Sequence, residues 1–385
     1  MSEYQYYEFL AIDRPLSQSE MAELRRLSSR ATITSTRLQN VYNWGNFRGD
    51  PDVLMEKYFD VFLYLANWGT HQFMVRLPGQ LLAPETATLY SRGESASTRA
   101  TSTHTILEFI SDDEEGGGWV EDSEGSDWLS SLVPLRGDIA SGDLRCLYLG
   151  WLLCAQNGDL DDDEVEPPVP PGLGKLSAAL DAFADFMRID EDLIAVAAQR
   201  SLDRIEIEPS SGELRRWIRD LAVSEKEAFL LRLVEGHDVH LRSELLQRFR
   251  QERTSPAATS KGAVERRRVA ELLAAAERYG EARRREEAER AAVEQARRKR
   301  EEAEARAKYL DTLVGRDEEI WSRVKVLIEV KKAAEYDQAV QYLKDLRDLA
   351  GRGGRIDQFS TRLAELRALN PGKQALLRRL DEAGL

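Results

Sequence analysis

The chain has 385 residues, of which 42% are hydrophobic and 32% charged, and its formal net charge is −14. The length predicts about two or three domains, and the supply of apolar residues is enough for folded cores. Because an acidic chain repels phosphate, the composition argues against general nucleic-acid binding, although a local basic patch can override the overall charge.

The chain also lacks the sequence marks of export or membrane insertion. Its opening residues have no basic start followed by a long apolar core, and the run 147–155 is far shorter than a span of roughly 20 residues. The two cysteines, Cys146 and Cys154, would lie roughly 12 Å apart on one helix, too far for a disulfide. We expect reduced core cysteines, rather than a redox pair, in a soluble cytoplasmic protein.

The amino-terminal region alternates strand-like and helix-like patterns. Ser17 and Glu20 form a capping-box motif, and Asp50 before Pro51 is typical of a second helix start. The strand-like runs are residues 4–12, 31–36, 61–66, 73–77 and 105–110. This order predicts an α+β domain over 1–157, with helices packed on a mostly antiparallel sheet.

The tripeptide Asn-Trp-Gly occurs twice, at residues 43–45 and 67–69, each time after a strand-like run. The favoured interpretation is a pair of turns, since Asn and Gly accept positive φ. The alternative is that Trp44 and Trp68 form an exposed recognition surface, because Trp is frequent at binding hot spots.

Two polar segments of this region are predicted to be irregular. Residues 91–104 are small and polar and predict a mobile loop, and 112–127 are acidic and glycine-rich. Residues 158–174 are acidic and then proline-rich, which predicts a linker. Three aspartates in it match an EF-hand calcium loop, but Glu164 stands where that loop needs glycine, so a solvated linker is favoured over a metal site.

Residues 175–252 show repeated helical stripes and predict a small helical domain, with a second capping box at Ser224 and Glu227. The pair His237 and His240 has a spacing that zinc sites use, but no third ligand is near. A helix-start loop capped by Asp238 is therefore favoured.

After a linker at 253–262, residues 263–313 form a run of Glu, Arg, Lys and Ala that predicts one long charged helix of on the order of 75 Å. Acid-first i,i+4 pairs support it, namely Glu281–Arg285, Glu286–Arg290, Glu294–Arg298, Glu302–Arg306 and Glu304–Lys308. Its apolar seam begins at Val269, Leu272 and Leu273 and then fades. Both a self-supporting single helix and a weak alanine-lined coiled coil, giving a homo-oligomer, remain open.

Basic residues cluster on this helix at 283–285 and 297–300. They either bind phosphate or are paired with neighbouring glutamates on a solvated face. The second interpretation is favoured because aromatic residues for base stacking are missing there. The candidate surface residues are Arg297, Arg298, Lys299 and Arg300.

Residues 314–385 carry three further helical stripes and predict a helical-hairpin tail. The segment KKAAEYDQAVQYLKDL is similar to the second half of a tetratricopeptide repeat, without its tryptophan and proline positions. One unit makes no solenoid, so the tail is described as repeat-like.

Three segments resemble an uncharacterised bacterial protein family: YQYYEFLAIDRPLS, DPDVLMEKYFDVFLYLANWGT and LLRRLDEAGL. The tail from Tyr336 to Leu385 also resembles carboxy-terminal segments of bacterial proteins with SWIM-type zinc fingers. The zinc-binding cysteines and histidines of those fingers are missing here, so the resemblance implies no metal role, activity or site residue.

These features together favour a non-enzymatic adaptor or scaffold that mediates protein–protein interaction in a multi-component bacterial assembly. We expect no catalytic, cofactor-binding or metal-binding residues, no cofactor and no membrane partner. One alternative is a nucleic-acid-binding accessory protein that uses the arginine clusters. The other is an enzyme in the α+β domain, for which His71 and His104 are the first residues to test.

Overall fold

The computed structural model describes residues 4–112, 124–204, 209–236, 240–253 and 266–385. The chain divides into two compact units, Met1–Arg283 and Arg284–Leu385. The first contains an antiparallel sheet with helices, and helices alone follow it, which confirms the predicted fold class. None of the described helices combines the length and the apolar composition that crossing a lipid bilayer requires.

The first unit is built around one antiparallel sheet with the strand order β2-β3-β1-β4-β5-β7-β6. Its strands are β1 (Gln5–Leu10), β2 (Thr32–Ile33), β3 (Arg37–Tyr42), β4 (Val61–Ala66), β5 (His71–Pro78), β6 (Ala96–Ala100) and β7 (His104–Ser111). The helices of this unit up to the end of its α+β part are α1 (Gln18–Leu27), α2 (Pro51–Lys57), α3 (Pro84–Thr88), α4 (Glu124–Leu132), α5 (Pro134–Ala140) and α6 (Arg145–Asn157).

The rest of the chain is helical. Its helices are α7 (Ala178–Met187), α8 (Glu191–Ala198), α9 (Ser211–Asp220), α10 (Val223–Glu235), α11 (Leu241–Arg253), α12 (Val269–Leu313), α13 (Asp317–Val330), α14 (Ala333–Arg352), α15 (Ile356–Ala368) and α16 (Gln374–Glu382). The long charged helix thus ends where the sequence predicts, and residues 263–265 of the predicted span lie outside the described part.

Apolar residues cover both faces of the sheet. Because neighbouring strand residues point to opposite faces, Tyr7 and Phe9 of β1 join a smaller core with α1 and α2. Tyr6 joins a larger core that contains residues of α4 to α8 and the first two turns of α12. A sheet buried on both faces explains why β4 reads as a continuous apolar run.

The predicted helix starts of the α+β part are confirmed. The Ser17 hydroxyl accepts a hydrogen bond from the Glu20 amide at 3.3 Å, and the Glu20 carboxylate accepts one from the Ser17 amide at 2.7 Å. The Asp50 carboxylate caps α2, with Pro51 at its first turn. Further along, α10 is capped from Ala222, two residues before the predicted Ser224, because Glu225 accepts from the Ala222 amide at 3.3 Å.

The polar segment 91–104, predicted as a loop, contains the edge strand β6. Its polar side chains have partners on the same face: Ser97 donates to Glu108 at 3.2 Å, and Arg99 pairs with Asp52 at 2.8 Å. Strand β3 is the strand-like run before the first Asn-Trp-Gly tripeptide, and the sequence does not predict its bounds. Most of 112–127 lies outside the described residues.

The proline-rich segment 158–174 packs within the first unit. Leu160 and Leu173 are buried in its larger core, together with apolar residues of α7 and α8. The division between the two units lies between Arg283 and Arg284, inside α12, and so differs from the predicted domain boundaries. The first unit extends into α12 because the segment 158–174 forms hydrogen bonds with the first residues of this helix.

That contact satisfies the amino end of the long helix. The amides of Val269 and Ala270 donate to the carbonyls of Glu164 at 3.0 Å and Asp162 at 3.1 Å. The first amides of a helix lack partners inside it, and they carry partial positive charge. The acidic residues of 158–166 therefore lie at the amino end of α12, where negative charge stabilises the helix.

The second unit has its own core, formed by the last turn of α12 and by α13 to α16. Trp321, Val324 and Leu343 are buried in it. Helix α14 contacts α13, α15 and α16, so it is the central helix of this unit.

Candidate interaction surfaces

The two Asn-Trp-Gly turns lie at the same end of the sheet. Gln5, at the start of β1, is aligned with Tyr42 at the end of β3 and with Ala66 at the end of β4. Each turn begins directly after one of these two residues. The register of three strands thus brings Trp44 and Trp68 to the same end of the sheet.

Gln5 is buried between the two turns and holds one of them directly. Its amide nitrogen donates to the Gly45 carbonyl at 3.0 Å and to the Asn46 side chain at 3.2 Å. Its amide oxygen accepts from the hydroxyls of Tyr7 at 2.7 Å and Tyr64 at 3.2 Å. The polar atoms of one buried glutamine therefore connect the turn to the aromatic core.

The second turn is held by Asn67. Its side-chain oxygen accepts from the Tyr4 amide at 3.0 Å, and its own amide donates to the Tyr4 carbonyl at 3.0 Å. Gly45 and Gly69 have φ values of 74° and 106°. Those values are the left-handed backbone that the predicted turns need glycine for.

Both tryptophans are exposed to solvent, Trp44 by 68% and Trp68 by 43%. The Arg30 guanidinium lies 5.4 Å from the centre of the Trp44 ring, and the Trp68 indole donates to Thr70 at 3.1 Å. The tripeptides can therefore be both turns and a recognition surface, because the ordered turns leave their tryptophan rings exposed. Recognition by these rings remains a prediction.

Helix α12 is exposed on all sides over residues 284–305. This stretch holds seven basic and seven acidic residues, so its net charge is zero. Of the predicted pairs, Glu286–Arg290 is formed. Arg297 instead pairs with Glu294 at 2.7 Å and with Glu301 at 2.9 Å.

The remaining candidate cations of α12 differ in their surroundings. Arg300 pairs with Glu304 at 3.0 Å, whereas no described residue pairs with Arg298 or Lys299. Two of the four predicted surface residues, Arg297 and Arg300, are therefore neutralised by neighbouring carboxylates. This arrangement gives little attraction for phosphate.

The two histidines proposed for an enzyme are held in structural contacts. His71 stacks on the Phe186 ring, its Nδ1 lies 2.6 Å from the Phe186 carbonyl, and its Nε2 lies 3.1 Å from the Arg188 guanidinium. Since guanidinium only donates, this Nε2 must accept, which fixes the neutral ring with its proton on Nδ1. His104 contacts Thr103 at 2.7 Å, and burial together with the charge of Arg76 lowers its pKa.

A cluster of charged side chains not predicted from the sequence lies on the first unit. The fully buried Asp60 accepts two hydrogen bonds from Arg76, at 3.2 and 2.8 Å, and one each from the amides of Ile12 and Asp13. Arg136 donates to the Asp13 carboxylate at 2.7 Å. The only signal in the sequence is that Asp60 directly before β4 and Arg76 within β5 are charged residues in otherwise apolar runs.

His240 joins this cluster from the start of α11. Its Nε2 lies 2.8 Å from the Asp13 carboxylate. His237, which shares a zinc-type spacing with it, and the predicted cap, Asp238, lie outside the described residues. Across the part of the chain that the structure describes, no group of three His, Cys, Asp or Glu side chains is placed to hold a metal ion.

The cysteines are free and buried. Burial raises the pKa of Cys146 well above its usual value and that of Cys154 to about 12, so both stay protonated at neutral pH. A protonated buried thiol is a poor nucleophile.

The second unit contains a cavity of about 270 Å³ between α13 and α15. The Arg362 guanidinium lies 4.8 Å from the centre of the Trp321 ring and covers one wall. The lining residues are Trp321, Lys325, Ile328, Glu329, Arg362, Glu365, Leu366, Leu369 and Asn370.

Comparison with protein-family models, with curated proteins and with solved structures gave no significant match to the chain. The function is therefore argued from the surfaces described above.

Proposed function

We propose that this chain is a non-enzymatic adaptor that binds other proteins of a bacterial assembly in the cytoplasm. The observation that supports it best is the pair of exposed tryptophans held at one end of the sheet by Gln5 and Asn67. Trp is favoured at protein-binding hot spots, and rings on ordered turns lose little entropy when they bind.

Further support comes from the exposed stretch 284–305 of α12. A helix that is polar on all sides and held by pairs three or four residues apart needs no packing partner within its own chain. Such a helix can connect folded units without burying a site. Its balanced charge gives no support to the nucleic-acid alternative.

The test is quantitative capture of partners from the source cells by the tagged full chain. We expect at least one protein to be captured by the native chain and to be lost with the double variant Trp44→Ala/Trp68→Ala. The matched control is Leu369→Ala, which removes an exposed apolar side chain of the second unit, 78% exposed, and should change nothing at the tryptophans.

An adaptor also requires a second binding region. A chain that ends after Arg283 keeps residues 266–283, which belong to the first unit and include Val269, Leu272 and Ala276 of its core. A cut at 263 would remove them. We expect the shortened chain to keep the tryptophan-dependent partner and to lose another one. If no captured protein depends on either change, the adaptor proposal is wrong.

A further inference from the structure

Three exposed arginines lie beside the turn that carries Trp44. Arg25 is in the last turn of α1, Arg30 lies in the connection from α1 to β2, and Arg48 follows Trp44 in the loop before α2. Among the residues that the structure describes, no carboxylate pairs with any of these three side chains. Trp44 and the three arginines are called the Trp44 patch below.

The position of Arg30 is fixed by a buried serine. The Ser28 hydroxyl accepts hydrogen bonds from the amides of Arg30 at 3.3 Å and Ala31 at 3.2 Å. It also accepts one from the Asn40 side chain of β3 at 2.8 Å, and both Ser28 and Asn40 are buried. The Arg25 guanidinium reaches the same connection, because it donates to the Ala31 carbonyl at 2.5 Å.

The loop that carries Arg48 packs against the same end of α1. A methyl group added at Gly49 would overlap the Phe47 ring and would lie 3.3 Å from the Leu27 side chain, the last residue of α1. Arg48 stands between these two loop residues, so it lies beside the end of α1. The patch is therefore formed by two segments that are held together by packing.

The carboxylates closest in sequence have other partners. Glu20 pairs with Arg14 at 2.7 Å, and Glu23 accepts a hydrogen bond from the Tyr58 hydroxyl at 2.6 Å. The Asp50 carboxylate caps α2. The patch thus keeps its positive charge although the net charge of the chain is −14.

The contact between Arg30 and Trp44 leaves both groups able to bind a ligand. The guanidinium lies 5.4 Å from the centre of the ring, within the range of a cation–π contact. This contact uses no hydrogen bond, so the N–H groups of the Arg30 side chain can still donate to a carboxylate. The Trp44 ring is 68% exposed and offers an apolar surface next to them.

We propose that the Trp44 patch binds an acidic segment of a protein partner. An apolar side chain of that segment contacts Trp44, and Asp or Glu residues on either side of it pair with Arg25, Arg30 and Arg48. This inference rests on the proposed function and adds the chemistry of the partner. A nucleic acid fits less well, because single strands bind along extended basic grooves with successive rings, whereas here three cations adjoin one ring.

The first experiment uses three labelled peptides that share a central Leu-Phe pair and carry Glu, Gln or Lys at the four flanking positions. Fluorescence anisotropy measures their binding to the full chain at about 50 and 300 mM NaCl. We expect the Glu peptide to bind about 10-fold more tightly than the Gln peptide at the lower salt concentration, since each exposed ion pair contributes about 2-fold. The difference should shrink at the higher concentration because salt screens exposed charges.

Charge variants of the full chain locate the binding site. Arg30→Glu/Arg48→Glu should weaken binding of the Glu peptide at least about 10-fold and should bind the Lys peptide better than the Glu peptide. Arg30→Lys/Arg48→Lys keeps the charge and should remain within about 3-fold of the native chain. Trp44→Ala should weaken binding of the Glu and Gln peptides alike. The matched control is Lys331→Glu/Lys332→Glu, which makes the same change in net charge at exposed residues of the second unit.

Three results overturn the proposal. The first is equal binding of the Glu and Gln peptides by the native chain, including the case in which neither binds at about 1 mM. The second is an equal loss of Glu-peptide binding with the lysine control, which would show an effect of net charge alone. The third is a labelled single-stranded DNA of about eight nucleotides that binds more tightly than the Glu peptide and is lost with Arg30→Glu/Arg48→Glu.

The capture experiment separates this proposal from the adaptor proposal. A partner that requires the two tryptophans but is captured equally by Arg30→Glu/Arg48→Glu contradicts the acidic segment and leaves the adaptor proposal intact. If no captured protein requires the tryptophans while the Glu peptide still prefers the native chain over the arginine variant, the patch has the stated chemistry and the tryptophan-based support for the adaptor fails.

Discussion

Arg267 and Glu166 lie 101 positions apart in the sequence and form a buried ion pair. The guanidinium donates two hydrogen bonds to the carboxylate, at 2.9 and 2.6 Å, and Glu166 is only 1% exposed. The Tyr148 hydroxyl donates a third at 2.5 Å. Next to this pair, Val165 and Arg268 form a backbone bridge, so the segment 158–174 and the start of α12 are held as one structure.

Removing one partner of this pair should destabilise the first unit strongly. In Arg267→Ala the Glu166 carboxylate stays buried without its cation, and we expect a loss of about 3–5 kcal/mol in the free energy of unfolding. Urea unfolding followed by circular dichroism measures it. The neighbouring change Arg268→Ala removes an exposed guanidinium and should cost less than about 0.5 kcal/mol.

The double variant Arg267→Met/Glu166→Leu distinguishes the cost of an unpaired buried charge from the cost of lost packing. Apolar residues of similar volume avoid the unpaired charge, so this variant should be more stable than Arg267→Ala. If Arg267→Ala unfolds at the same urea concentration as the native chain, the pair does not hold α12 in the first unit.

Two helical glycines should respond in opposite directions to the same change. A methyl group at Gly150 of α6 would overlap the Phe109 ring, whereas one at Gly137 of α5 would meet nothing within 4 Å. We expect Gly150→Ala to cost about 1–3 kcal/mol by overpacking. Gly137→Ala should be neutral or stabilise by up to about 1 kcal/mol, since alanine favours the helix. Thermal melts measure both, and equal shifts would contradict the packing of α6 on β7.

The sequence predicts those helices and strands whose pattern is complete within a short segment. It misses those that depend on contacts with residues far away in the chain. Strand β4 is predicted with its observed bounds because its apolar run is complete within six residues. Strand β6 is missed because its polar residues are explained only by Glu108 and Asp52 on other elements.

The candidate site shows the same limit. The sequence identifies Trp44 and Trp68, but only the register of β3, β1 and β4 places them at the same end of the sheet. The acidic run that resembled a calcium loop was interpreted as a linker, because the helix amino end that it meets lies about 100 residues away. The exposure of Leu230, Leu231 and Leu233 on α10 follows from the ion pairs that this helix forms with α11, which the periodicity of its own sequence does not reveal.

The stability of the first unit should depend on pH through Asp13. Burial by itself would raise the pKa of this carboxyl, but the hydrogen bond with His240 and the charge of Arg136 outweigh it and hold the pKa below its ordinary value. A lowered pKa in the folded state stabilises the fold above the unfolded pKa of roughly 3.9, and this stability is lost as pH falls through the folded pKa.

Asp13→Asn should therefore be less stable than the native chain by about 1–3 kcal/mol at pH 7. The difference should stay constant down to about pH 4 and shrink as the pH falls below the unfolded pKa of roughly 3.9 and through the folded pKa, where the native carboxyl is protonated as well. Urea unfolding of both proteins at several pH values measures it. A difference that grows on acidification would show that Asp13 is not stabilised as the carboxylate.

The exposed part of α12 should unfold locally without disturbing either core. Ala292 is exposed within 284–305, whereas Ala276 lies on the same helix but is buried in the first core. Changing alanine to glycine costs a helix about 1 kcal/mol. In Ala292→Gly we expect faster hydrogen exchange at the amides of 284–305, by on the order of 5-fold, and unchanged unfolding of the first unit. Ala276→Gly should instead lower the urea midpoint of the first unit, because it also removes a buried methyl group. If Ala292→Gly lowers that midpoint as much as Ala276→Gly does, residues 284–305 contribute to the folded cores and cannot serve as the exposed connecting helix of an adaptor.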